Sequence, residues 1–150
     1  MSIDARLAQL GITLPTPPKP VAAYIPAKRS GSLLFVSGQL PFKEGQLLAK
    51  GPVADVATAA VAARQCAINA LAVANDALGS FDKVSGVARV GVWVACADDF
   101  VDQPKVANGA SELLVEVFGE PGRHTRAAVG TNALPLGAMV EVEVWFEVTG

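Results

Sequence analysis

Gly122–Val148, GRHTRAAVGTNALPLGAMVEVEVWFEV, is the stretch on which the reading of this chain turns. It holds Arg123, Arg126, the chain's only histidine (His124) and a Leu-Pro-hydrophobic-Gly turn at Leu134–Gly137. A segment of strict alternation follows. Val140, Val142 and Val144 fall on one parity and Glu141, Glu143 and Glu147 on the other, as in a strand with two unlike faces. A cationic fork followed across a turn by a carboxylate on the next strand can hold a small carboxylated molecule and handle a proton. Arg126 lies two residues into an apolar strand, TRAAV, where an unpaired guanidinium would be costly. Its partner is either an internal glutamate on a neighbouring strand or an external ligand, and the residues alone leave both open. His124 reads by itself as a strand-edge residue beside a glycine-rich turn.

Upstream, the pattern supplies the rest of a domain. Ser2–Leu10 reads as a short amphipathic helix with Ser2 as its N-cap, stopped by Gly11. LPTPPKP, Leu14–Pro20, has four prolines in seven residues and must be extended, so residues 1–20 form a helix and an arm laid over the domain. Val21–Ala27 and Leu33–Ser37 read as a hairpin about a Lys28–Ser32 turn, and a small hairpin is expected at Glu44-Gly45. Asp55–Leu78 is an alanine-rich helix with an apolar stripe through Val61, Ala62, Cys66, Ile68, Ala70 and Leu71, ended by Gly79. Val84–Ala95 alternates as a strand. Gln103–Phe118 is a second long helix, terminated by Gly119 and Pro121. Strands over Arg123–Gly130 and Val140–Val148 close the chain. This order predicts one α+β domain over residues 1–150, two layers deep, with a mixed or antiparallel sheet and both long helices on one face. The other face, expected to carry Val92, Val94, Val142 and Val144, then needs a partner, which a closed ring of such sheets would supply.

Composition narrows the function. The chain is 51% hydrophobic with a mean hydropathy of +0.39, yet no uninterrupted apolar run is long enough for a membrane span. A subunit interface accounts for the surplus. Lys and Arg number 12 against 14 Asp and Glu, and the only basic cluster is Lys28-Arg29, so nucleic acid is not the expected partner. Cys66 and Cys96 lie in apolar patterns and read as reduced core residues, which with no apolar leader makes the cytoplasm the expected compartment. No nucleotide loop, HExxH or paired CxxC is present, so no cofactor and no metal is expected.

Several matched pieces in order then make the chain similar to the RidA/YjgF family of reactive-intermediate deaminases. They are Val36-Ser37-Gly38-Gln39-Leu40-Pro41; Ala63-Arg64-Gln65 followed by Asn69; Asn108 with Glu112 four residues on; Thr125-Arg126-Ala127-Ala128-Val129; Leu134-Pro135; and Val140-Glu141-Val142-Glu143. The resemblance spans roughly Val21 to Val148. It implies the chorismate-mutase-like fold and a homotrimer whose sheets form a central barrel, with sites between subunits. It implies hydrolysis of 2-imino and 2-enamine acids to 2-keto acids and ammonia without a cofactor. On the same resemblance Arg126 grips the substrate carboxylate and Glu141 holds the attacking water. Tyr24, Ser37, Asn108 and Ala128 line the cleft, Ala128 through its backbone carbonyl. The chain departs from the pattern at Ala22-Ala23, where a Gly-Pro is usual, at Ala128, where a cysteine is common, and in its N-terminal arm and 43–50 loop. A non-catalytic trimer that binds small carboxylic metabolites is the alternative expectation.

Overall fold

Capping chemistry sets the ends of the long helices in the computed structural model, which describes residues 1–20 and 22–150. The seven-residue α1 (Ile3–Gln9) starts at Ser2, whose hydroxyl accepts from the Ala5 amide. The short strands β1 (Ala27–Ser30), β2 (Leu33–Gln39), β3 (Phe42–Lys43) and β4 (Gln46–Leu47) follow. Helix α2 (Val56–Leu78) begins at Asp55, which caps Thr58, and stops at Gly79 in the left-handed conformation that glycine alone adopts freely. Then come β5 (Val84–Ala95), α3 (Gln103–Phe118), β6 (Thr125–Thr131) and β7 (Val140–Val148). The fold is α+β, as expected.

The N-terminal hairpin differs from the expectation. Val21 lies outside the described residues, and the strand is Ala27–Ser30, which shares only Ala27 with the strand expected and otherwise falls in the segment read as a turn. Pro26 cannot donate to a ladder, whereas Gly31, at φ +60°, makes a two-residue Gly-Ser turn that pairs Ser30 with Leu33. The small hairpin at Glu44-Gly45 is present, both residues having positive φ as a type I′ turn requires. Strand β6 starts at Thr125 rather than Arg123, because Glu120–Gly122 forms a helical turn first.

The five-stranded sheet runs β1-β2-β7-β5-β6, antiparallel except for the parallel β5–β6 pair at one edge. Helix α3 is the crossover that parallel pairing demands. Helices α2 and α3 pack on one face. Their backbones approach closely, since a Cβ on Gly109 would collide with the Ala60 carbonyl. The stripe of α2 is as read except for Val61, which is 59% exposed. By length and composition α2 could cross a membrane, but 61% of its most apolar 18-residue window is buried inside this domain.

The parity of the sheet is the reverse of the expectation. Val92, Val94, Val142 and Val144 are buried under the helices, at 1% exposure or less. The alternation places its apolar residues on the covered face, as alternation normally does. The open face carries register-matched rows instead: Phe35, Trp145, Arg89 and Thr125; then Glu143, Gly91 and Ala127; then Glu141, Trp93 and Val129. Phe35 and Trp145 meet edge to face at 4.8 Å, Arg89 stacks 5.1 Å from the Trp145 ring, and Arg89 pairs with Glu143 at 3.0 Å.

Candidate functional site

The two residues that the sequence pairs are separated by the topology. Strand β5 lies between β6 and β7, so the carboxylate is not on the neighbouring strand. Arg126 is opposite Val90, which is opposite Val144; Glu141 is three residues further along β7, opposite Trp93. Two strand spacings across and three residues along put the two backbones roughly 14 Å apart. Their side chains also project from opposite faces, Arg126 toward α3 and Glu141 onto the open face. One chain therefore carries two separate groups of residues, two candidate half-sites.

The first half-site is on the edge strand β6. The Arg126 guanidinium is exposed, and its Nη1 donates to Asn108 Oδ1 at 2.8 Å and to Ser111 Oγ at 3.2 Å, both on α3. Among the described residues no carboxylate pairs with it: the four ion pairs are Arg64–Glu116, Arg89–Glu143, Lys105–Asp102 and Arg123–Glu120. Two neutral oxygens on one nitrogen orient the fork and leave its charge available to an anion. Ala128 follows on the same strand, half-buried against the core.

Ser111 and His124 complete this half-site; His124 is expected from the sequence only beside it, with Arg123, as a residue that enlarges or re-charges the pocket, and Ser111 is not anticipated. His124 is half-buried, its Nδ1 2.6 Å from the Gly122 carbonyl oxygen and its Nε2 2.9 Å from Ser111 Oγ. Burial lowers the His124 pKa, the Gly122 contact opposes this, and the nearby Arg126 charge lowers it further. The spacing of Asn108 and Ser111, three apart on one helix, was the available signal. Arg123, by contrast, pairs with Glu120 in solvent and stays apart from the group.

The second half-site is built by a bulge. Between Val36 and Gln39 the β2–β7 register shifts, so Ser37 and Gly38 together oppose one residue of β7. A Cβ on Gly38 would fall on the Glu141 carboxylate, so glycine is what allows that carboxylate to lie against β2. Gly38, Trp93, Leu134, Glu141 and Glu143 line a pocket of about 170 Å³. Burial raises the Glu141 pKa, and the Glu143 charge raises it further. Gly38 and Ser37 also border a cleft of about 640 Å³, walled by the Pro15–Pro20 arm, Tyr24, Phe42 and Leu136. Tyr24 is 59% exposed there, whereas the Ser37 hydroxyl is committed to the Ile25 carbonyl at 2.9 Å. Leu136 sits at φ +57°, a sparsely populated conformation for a leucine, at the cleft wall. The structure thus brings Asn108 to Arg126, and places Tyr24 and Ser37 in a cleft that shares Gly38 with the Glu141 pocket.

Cys66 and Cys96 are free thiols; burial pushes the Cys66 pKa well up, which makes it an inert core residue.

Fold and site geometry define a class: a two-layer α+β domain with an exposed arginine on its edge strand and a pocket lined by Glu141 and Glu143 on its open sheet face. A family model described as "YjgF/chorismate mutase-like, putative endoribonuclease" matches residues 4–148. The chain belongs to this family. Protein TCP17 of Trypanosoma cruzi is 42% identical, over 97% of this chain and 93% of that one. The crystal structure of Atu1372, a protein with unknown function from Agrobacterium tumefaciens, superposes with a TM-score of 0.91 at 46% identity, covering 98% of this chain and 92% of that one. A 2-iminobutanoate/2-iminopropanoate deaminase of Dermatophagoides farinae is 27% identical, over 88% of this chain and 91% of that one.

Proposed function

We propose that this protein hydrolyses 2-imino acids to 2-keto acids and ammonia, at sites formed where the β6 edge of one subunit meets the bulge side of another. The observation that carries the proposal is the Arg126 guanidinium, oriented by Asn108 and Ser111 without a carboxylate partner among the described residues. A substrate carboxylate is the matching ligand, and its two oxygens suit a planar fork. Family membership and the named deaminase of Dermatophagoides farinae support the reaction type.

The chemistry asks little of the protein. An imine carbon is already electrophilic, so a positioned water and a proton acceptor suffice. As water adds to C2, Glu141 takes one of its protons and passes it to the imine nitrogen, giving a neutral carbinolamine with Glu141 again ionised. Glu141 then takes the hydroxyl proton and returns it to the amino nitrogen as the C2–N bond breaks, so that the oxygen becomes the keto carbonyl and the nitrogen leaves as ammonia. A raised pKa makes Glu141 a stronger proton acceptor than an ordinary carboxylate. A homotrimer closed over the open sheet faces unites the two half-sites and covers the Phe35, Trp93 and Trp145 rows. Ribonuclease activity fits poorly with 12 basic against 14 acidic residues.

The test generates 2-aminoacrylate from serine with a dehydratase and follows pyruvate release. Wild type should accelerate release, and Arg126→Ala should lose about a hundredfold in kcat/KM. No acceleration by wild type, or full activity in Arg126→Ala, rejects the proposal. Ligand-dependent thermal stabilisation by 2-oxobutanoate without turnover would identify a binding protein instead.

A further inference from the structure

The group around Arg126 has a direction, which the tautomer of His124 sets. His124 Nδ1 is 2.6 Å from the Gly122 carbonyl oxygen, an acceptor only, so Nδ1 carries the hydrogen and donates. In the neutral ring Nε2 must then accept, and the only polar partner it has among the described residues is Ser111 Oγ at 2.9 Å. The Ser111 hydroxyl hydrogen is thereby committed to His124. Its lone pairs are left facing Arg126 Nη1 at 3.2 Å. The reverse tautomer would set two acceptors against each other at the Gly122 contact and turn a second donor onto the hydroxyl that Arg126 needs.

We infer that His124 and Ser111 are positioning residues, a donor-to-acceptor chain that fixes the arginine fork for its ligand. This rests on the reading of Arg126 as the carboxylate grip. Neither residue need touch substrate. Ser111 fixes one Nη1 hydrogen bond, Asn108 the other, and the remaining guanidinium hydrogens are thereby aimed away from α3. Without the chain Ser111 Oγ rotates freely, Arg126 keeps a single anchor, and a long exposed side chain regains rotamers that binding must then freeze. The cost falls on ground-state and transition-state binding alike, so it appears in KM rather than kcat.

Ser111→Ala should raise KM for the imine about five- to tenfold, with kcat within about twofold of wild type. Ser111→Thr, which keeps the hydroxyl, should restore KM to within about twofold. His124→Phe should resemble Ser111→Ala, and the double variant should be no worse than either, because the residues act in series. A KM unchanged in Ser111→Ala, or a failure of threonine to rescue it, overturns the inference.

Nuclear magnetic resonance gives an arm independent of turnover. His124 is the chain's only histidine, so its ring nitrogens are identifiable without assignment. At pH 7.5 they should report the Nδ1–H form, and the Arg126 Nη signals should sharpen on slow rotation in wild type and broaden in Ser111→Ala. An Nε2–H ring, or guanidinium signals indifferent to Ser111→Ala, refutes the chain of donors. If wild type releases no pyruvate faster than solvent, the deaminase reading fails; these spectra then decide the positioning role by themselves.

Discussion

Gly38→Ala is the substitution by which the second half-site can be tested without touching a charged group. Gly38 does not have a left-handed φ, so alanine's backbone preferences are satisfied there. What alanine cannot do is share space with Glu141, because its Cβ would fall on the carboxylate. The carboxylate is the far end of a flexible side chain, so it yields and the strands do not. Stability should therefore change by no more than about 1 kcal/mol, with the lost chain freedom of glycine offsetting part of the disturbance. Activity is another matter, since a shift of about 1 Å in a water-holding group costs about a hundredfold, or about 2.7 kcal/mol of barrier. The assay is coupled pyruvate release beside a thermal melt of the same sample. Wild-type kcat/KM in Gly38→Ala would refute the placement of Glu141 at the reacting water. A collapse of the melt would show instead that the bulge cannot accept a side chain at all.

Two further substitutions probe different layers. Glu141→Gln should lower turnover by about 10²- to 10⁴-fold. Its effect on stability has a sign fixed by the raised pKa: the folded state resists ionisation, so this group's contribution is fully present below the unfolded value of 4.5 and lost as pH rises through the folded value. Glu141→Gln should accordingly flatten that decline, read as urea midpoints at pH 5 and pH 8. Phe146→Ala, at a position 0% exposed beneath Phe118 and the helices, should cost about 3–5 kcal/mol by chemical denaturation. A loss under about 1.5 kcal/mol would show a core able to collapse around the gap.

Much of this was legible in the residues. Asp55 and Gly79 bracket α2, and Gly119 with Pro121 ends α3, because caps and stops are local chemistry; β5 and β7 end where their alternation ends. Strand order is not local. Nothing in the turn at Leu134-Pro135 says that β5 inserts between β6 and β7, and that insertion is what parts Arg126 from Glu141. The inverted face assignment had a readable remedy: Phe35, Trp93 and Trp145 share the glutamate parity, and large aromatics there mark a surface that seeks cover. Asn108 could be matched to Arg126 by family resemblance, whereas Ser111 had only its three-residue spacing from Asn108 to mark it, and the contact of His124 with Ser111 emerges only from the folded geometry. Gly38's role depends on a bulge, which has no sequence signature of its own beyond the glycine.

The division of arginine and carboxylate between opposite faces also has a consequence for how such a protein fails. On the proposed reading, a folded, soluble subunit is idle until it meets its neighbours, so dilution acts as an inhibitor. A lesion at Trp145, which lies on the open face with Phe35 and Arg89, would then read in a genetic screen as a dead enzyme with an intact fold. On that reading, loss of function in this chain is as much a matter of company as of chemistry.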